Sequence, residues 1–177
     1  MICVSGGHYD QARGAHYDGF AEYPETLIWA DLIVTNLTLL GIDACVVPSG
    51  GLRDKVDWIN EVRPRATAAV EIHFNADGKH KGKGCETLYY PGSRKGLQLA
   101  EEIQRQISTF FPPNRGTKEG WYRMVKGGTA DYFLAKTRCP AVIIEPEFIH
   151  NKSAITTNQD IGCLIIAEAV AAVVKEW

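Results

Sequence analysis

The 177-residue chain contains no CxxC pair, and its five cysteines are odd in number, so it offers no disulfide framework to read. Cys3, Cys45, Cys85 and Cys139 fall in or beside predicted strands and Cys163 in a predicted helix. They read as buried, reduced thiols that pack as small apolar residues. No apolar run is long enough for a membrane span: the longest, residues 27–40, is broken by Asp31 and Asn36. No basic stripe alternates with aromatics, and a net charge of −2 sets up no strong field toward nucleic acid. G-x-G-x-x-G is absent, so Gly6-Gly7 is no dinucleotide fingerprint. Repeats, low-complexity tracts and linkers are missing too. The start, Met1-Ile2-Cys3-Val4, lacks a charged leader and runs into Ser5-Gly6-Gly7. The expectation is a chain made in the cytoplasm without a signal peptide.

What is present is an ordinary globular balance, 45% hydrophobic and 23% charged, at a length that suits one domain over residues 1–177. Apolar runs of strand length alternate with helix-periodic segments. Strands are predicted at 2–5, 43–48, 66–73, 85–90 and 141–145, with a short one near 121–125. Helices are predicted at 24–40, 52–62, 97–111, 130–136 and 158–175. Pro24 suits a first helical position, and Gly41 a helix stop. Residues 9–23 read as a long, glycine-bearing loop, and loops of that length usually carry function. Strands alternating with helices predict an α/β fold: a mostly parallel, twisted sheet flanked by helices on both faces, in one layered domain.

The stretch from Glu71 to Ala76 organises the rest. Val70, Ile72 and Phe74 alternate with Glu71, His73 and Asn75, the period-2 pattern of a strand with two unlike faces. His73 stands where the apolar run gives way to a loop. A histidine at a strand end is more often a hydrogen-bonded structural residue. Here two other strand ends carry similar chemistry, His8 after the first strand and Glu145 closing the last. In a parallel sheet these ends share one edge, where ligands of open α/β sheets bind. Two histidines and carboxylates are what a catalytic zinc site needs: three nitrogen or oxygen ligands and one open position. A further carboxylate would move the proton between water and a leaving amine.

The third ligand has two candidates, Glu22 and Glu25. Glu25 lies in the first turn of the predicted helix, about 120° from the polar stripe of Asp31, Thr35 and Thr38. An inward carboxylate needs a partner, which a metal would supply; a dipole-favoured N-terminal glutamate is the plain alternative. Glu22 reads as a solvated loop residue.

In order along the chain, these residues carry a resemblance. Gly6-Gly7-His8, Glu25 opening an apolar helix, Ile72-His73-Phe74-Asn75-Ala76 and Pro140-Ala141-Val142-Ile143-Ile144-Glu145-Pro146-Glu147-Phe148 resemble the type 3 family of zinc N-acetylmuramoyl-L-alanine amidases. The stretches Gly84-Cys85-Glu86-Thr87-Leu88-Tyr89-Tyr90 and Arg115-Gly116-Thr117-Lys118 resemble that family as well. The resemblance implies zinc on His8, Glu25 and His73, with Glu145 as the catalytic carboxylate. It implies a peptidoglycan substrate and an endolysin-like role at the cell wall, in a chain expected to be monomeric. Two departures matter. His8 is followed by Tyr9-Asp10 rather than Gly-Gly, and Glu145-Pro146-Glu147-Phe148 carries a second glutamate, so Glu147 competes with Glu145. Asn75 and Arg115 are expected to bind substrate; Asn75 serves equally as a turn-former. His16 and His80 read as solvated, and His150 as a local cap. Trp121 and Tyr122 read as core. The rival functions are a zinc peptidase or deacylase using the same site and a metal-free wall-binding module.

Overall fold

The computed structural model describes residues 1–120 and 132–177. In chain order the elements are β1 (Ile2–Gly6), β2 (His16–Tyr17), β3 (Phe20–Ala21), α1 (Glu22–Leu39), β4 (Ala44–Val46), α2 (Leu52–Glu61), β5 (Ala68–Ile72) and β6 (Cys85–Tyr89). There follow α3 (Arg94–Ile107), β7 (Asn114–Glu119), α4 (Tyr132–Lys136), β8 (Ala141–Glu145), α5 (Lys152–Thr157) and α6 (Gln159–Val174). The principal sheet has the order β4-β1-β5-β8-β6-β7. β4, β1, β5 and β8 are parallel; β6 runs antiparallel to β8, and β7 follows β6.

Strand alternation sorts the core into two layers. Val4, Val70, Ile72, Val142 and Ile144 pack with α1, α3 and α6 through Trp29, Ile33, Ile103 and Ile166. Cys3, Ala69, Leu88 and Ile143 pack on the other face with Val56 and Ile59 of α2 and Phe133 of α4. The chain is thus a single α/β domain with helices on both faces, as its pattern predicts. All five cysteines are free; burial pushes the Cys85 and Cys139 thiols up to about 11, which suits packing rather than reactivity. Among the described residues, no helix is long and apolar enough to cross a membrane.

Some boundaries differ from expectation for local reasons. α1 begins at Glu22, not Pro24, because a proline in the first turn forfeits no intrahelical bond. The loop at 9–23 holds the β2–β3 hairpin, which hands its chain straight into α1. Asn114–Glu119 is a strand although its residues are polar: among the described residues β7 is an edge, paired with β6 alone. The final helix is preceded by α5, a separate short turn. The strand expected near 121–125, the packing of Trp121 and Tyr122, and the start of the helix expected at 130–136 lie outside the described residues.

One contact sets where α1 begins relative to the sheet. A Cβ on Gly6 would stand 2.9 Å from Leu27 N and Thr26 C, so helix backbone runs directly over the end of β1. Thr26 Oγ1 donates to the Gly7 carbonyl at 2.8 Å and fixes that approach. Replacing Gly6 by alanine is expected to force helix and strand apart and cost about 1–3 kcal/mol of stability. Urea unfolding measures it; an unchanged midpoint would contradict the packing argument.

Candidate metal centre and active site

The carboxyl-terminal ends of β1 and β5 bring His8 and His73 to one edge, with imidazole centroids 5.0 Å apart. The carboxylate between them is that of Glu22, the first residue of α1. Its Oε1 lies 2.9 Å from His73 Nδ1 and its Oε2 3.2 Å from His8 Nε2. Two backbone groups hold it in place: Phe74 N–H donates to Oε1 at 3.0 Å and Ala15 N–H to Oε2 at 2.9 Å. The Glu22 side chain is 4% exposed, whereas His8 keeps 33% and His73 22%, so the imidazoles face solvent and the carboxylate lies beneath them. Space is made by glycine. A Cβ on Gly7 would meet the His73 ring at 2.5 Å, and one on Gly14 the His8 ring at 2.4 Å.

Glu25, expected as the third ligand, lies away from the two imidazoles, with Trp29 and Gln159 as its partners. It sits one turn deeper in α1, where its Oε1 accepts from Trp29 Nε1 at 3.2 Å and Gln159 Nε2 at 2.5 Å. It points inward, as its helical position implies, but its partners belong to the α1–α6 contact. Desolvation there raises its pKa. Glu22, expected to be solvated, is the carboxylate that meets both histidines, because the hairpin starts the helix two residues early.

The other nitrogen of His73 is occupied too. Nε2 lies 3.2 Å from Glu71 Oε2. Glu71 shares the strand face of His73, and its Oε1 accepts from Ser5 Oγ at 3.1 Å. Carboxylates only accept, so an imidazole between two of them carries a proton on each nitrogen. Burial opposes that charge, but the hydrogen bonds His73 donates to Glu22 and Glu71 prevail and its pKa is raised to about 10. Burial also works against the Glu22 anion; the His73 and His8 bonds outweigh it and hold its pKa well below the usual carboxylate range. Lys55, 3% exposed on α2, donates to the carbonyls of Gly6 at 2.5 Å and His8 at 2.6 Å and lies 3.9 Å from Glu71 Oε1. It fixes the turn on which His8 adopts φ 65°, a left-handed conformation costly for a residue with a Cβ. Desolvation lowers the Lys55 pKa, with Glu71 acting against it. Sequence reasoning passed over Lys55, whose neighbours are those of an ordinary amphipathic helix. Only period-2 alternation marked Glu71.

Glu145 closes β8. The β5–β8 register pairs Glu71 with Ile143 and Ile72 with Ile144, and His73 N–H donates to the Ile144 carbonyl. Glu145 therefore follows beside His73 on the same face, one strand over, about 5 Å away between backbones. It is 5% exposed. Glu147 is placed otherwise: its Oε1 accepts from Gly84 N at 2.9 Å, Phe148 N at 2.7 Å and Asn151 Nδ2 at 3.0 Å, clasping the loop after β8. Asn75 and Arg115 meet at Glu86, opposite Glu145 across β6. Asn75 Nδ2 donates to Glu86 Oε1 at 3.0 Å, and Arg115 pairs with Oε2 at 3.0 Å while covering the Phe148 ring. His16 and His80 are exposed, as expected.

The donors fit a catalytic zinc. One atom each from His8, Glu22 and His73 lies within 4.8 Å of the others. Two imidazoles and a carboxylate are a common catalytic set, and Glu71 behind His73 is the kind of carboxylate that orients a ligating imidazole. His8 and His73 open onto a cleft of about 220 Å³ that is also lined by Tyr9, Lys55, Phe133 and Ile143. A zinc bound here would have to displace the His73 proton, which is held more tightly than in a free imidazole. Apparent Zn2+ affinity is therefore expected to rise about tenfold per pH unit between pH 6 and 8 for each proton released. Competition against a chromogenic chelator measures this, and a flat profile would contradict the protonation described.

The sequence matches the family described as N-acetylmuramoyl-L-alanine amidase (Amidase_3) over residues 2–176. No curated protein matches it. Among solved structures it is similar to Cwp6 from Clostridium difficile at 22% identity and TM-score 0.79, over 99% of this chain and 28% of that one. It is similar to the N-acetylmuramoyl-L-alanine amidase AmiC2 of Nostoc punctiforme at 24% identity and TM-score 0.77, over 99% and 96%. The catalytic domain of the CD27L endolysin targeting Clostridia difficile is similar at 27% identity and TM-score 0.73, over 99% and 96%. The first two likenesses establish fold. This chain spans about a quarter of Cwp6 and nearly all of the other two.

Proposed function

The chain belongs to the Amidase_3 family of N-acetylmuramoyl-L-alanine amidases, hydrolases of peptidoglycan, and from this we propose that it is zinc-dependent and cuts the amide between N-acetylmuramic acid and L-alanine. The observation that carries the proposal is the meeting of His8, Glu22 and His73 around one point on the sheet edge. Zinc, when bound, polarises the scissile carbonyl and acidifies the attacking water. His8, Glu22 and His73 would hold it. Glu145 is the proposed general base: it takes the water's proton and returns it to the departing L-alanine nitrogen. The hydrogen bonds on Glu147 support this choice, since its Oε1 already accepts three. Glu71 and Lys55 position His73 and the His8 turn. Arg115, one-third exposed, is the proposed partner for a substrate carboxylate, with buried Asn75 holding Glu86 and Arg115 in line. An endolysin-type role is supported by the 27% identity to the CD27L catalytic domain.

Muropeptide mass spectrometry with zinc analysis tests the reading. The wild type is expected to release peptides with L-alanine amino termini and leave the glycan intact. Cleavage between peptide residues would contradict it. E145Q should keep zinc and lose about 10²–10⁴-fold in turnover. E22Q should lose zinc and activity together. E25Q should keep both, and a zinc-free E25Q beside a zinc-loaded E22Q would overturn the ligand assignment.

A further inference from the structure

A second convergence of ligand-type side chains lies away from the proposed active site. Asp77 and His80 stand on the loop after β5, and His150 on the turn between β8 and α5. One ligand atom from each lies within 4.8 Å of the others. The His80 and His150 rings are 5.6 Å apart, with Tyr17 of the hairpin 4.8 Å from His80. Among the described residues, His150 Nδ1 is the one buried side-chain nitrogen or oxygen that lacks a hydrogen-bond partner. An orphaned buried imidazole nitrogen costs free energy that a ligand would recover. His80 holds φ 51°, a backbone conformation that L residues rarely adopt without a compensating contact.

Asp77 faces this pair as an anion. Its oxygens accept backbone N–H groups from Lys79 at 3.2 Å, Lys81 at 3.2 Å and Gly82 at 2.6 Å; desolvation acts against the anion, but the bonds from Gly82 and Lys81 hold its carboxyl below the ordinary range. The lysine and arginine ion pairs among the described residues are Lys55–Glu71, Arg105–Glu102 and Arg115–Glu86, so none of them neutralises Asp77. Two imidazoles and a carboxylate suit zinc better than a hard cation, which prefers all-oxygen sites.

We propose that Asp77, His80 and His150 form a second Zn2+ site that staples the loop at 77–84 to the turn between β8 and α5. The same two segments already touch. Asn151 Nδ2 donates to the Gly82 carbonyl at 3.1 Å, and Gly82 lies so close to the Phe148 ring that a Cβ would stand 2.2 Å from it. Zinc at this point closes the contact with three stronger bonds and satisfies His150 Nδ1. Lys79, Lys81 and Lys83 are exposed on the stapled loop, so trypsin reports directly on whether the loop is held.

The full chain, stripped with chelator, is titrated with ZnCl2 and its bound metal counted by elemental analysis. The wild type should take two equivalents, H80A one, H150Q one and H73A one. Zinc should slow tryptic cleavage at Lys79, Lys81 and Lys83 in the wild type and H73A, and not in H80A. Two equivalents in H80A and H150Q would overturn the proposal. One equivalent in the wild type, lost in H73A and kept in H80A, overturns it while leaving the first site intact. One equivalent lost in H80A and kept in H73A upholds it and overturns zinc at the first site.

Discussion

The Glu22 carboxylate accepts from backbone N–H groups of two different segments and stands against two imidazoles, while almost none of it reaches water. A buried anion is tolerated only when fully paired, because an isolated one would cost far more than any single contact returns. Much of the local architecture serves that requirement. The β2–β3 hairpin supplies Ala15, the turn after β5 supplies Phe74 and His73, and the turn after β1 supplies His8. The residue opens α1, where the helix dipole favours negative charge. Three neighbouring segments within residues 8–22 and a distant one at 73–74 are thereby held in one geometry.

The rest of the polar edge extends the same logic along one face of the sheet. Ser5, Glu71, His73, Glu145 and Glu86 occupy successive strand ends, with Lys55 and Arg115 as cations at either side. Like charges on neighbouring strands oppose folding, and the fold offsets them with buried partners rather than with solvent. A cation at the Glu22 end answers that field, and that is the physical reason a metal fits there. Family membership gives the reaction class; the tasks proposed for the residues are argued from the arrangement of this edge.

How much was legible in the sequence follows from which forces are local. Strand alternation marked His73 and put Glu71 on the same face, and Glu145 stood out as the charged end of an apolar run. Their convergence followed from parallel strands ending on one edge. The helix pattern said that Glu25 turns inward, and it does, toward Trp29 and Gln159. Helical periodicity could not say where α1 begins. That is decided by the backbone bonds Glu22 N to Ala15 O and Tyr23 N to Arg13 O, made by a hairpin too short to leave a periodic signal. A shift of two residues at the start moved the site carboxylate from one glutamate to another. Lys55 was hidden for a different reason: a buried lysine on an amphipathic helix looks like a surface one until its acceptors are known.

The most direct test of the central claim is anomalous diffraction at the zinc edge from crystals of the zinc-loaded protein. The account predicts a peak within bonding distance of His8, Glu22 and His73 together. A map with no peak there, or with zinc bound at Glu25 instead, would contradict it.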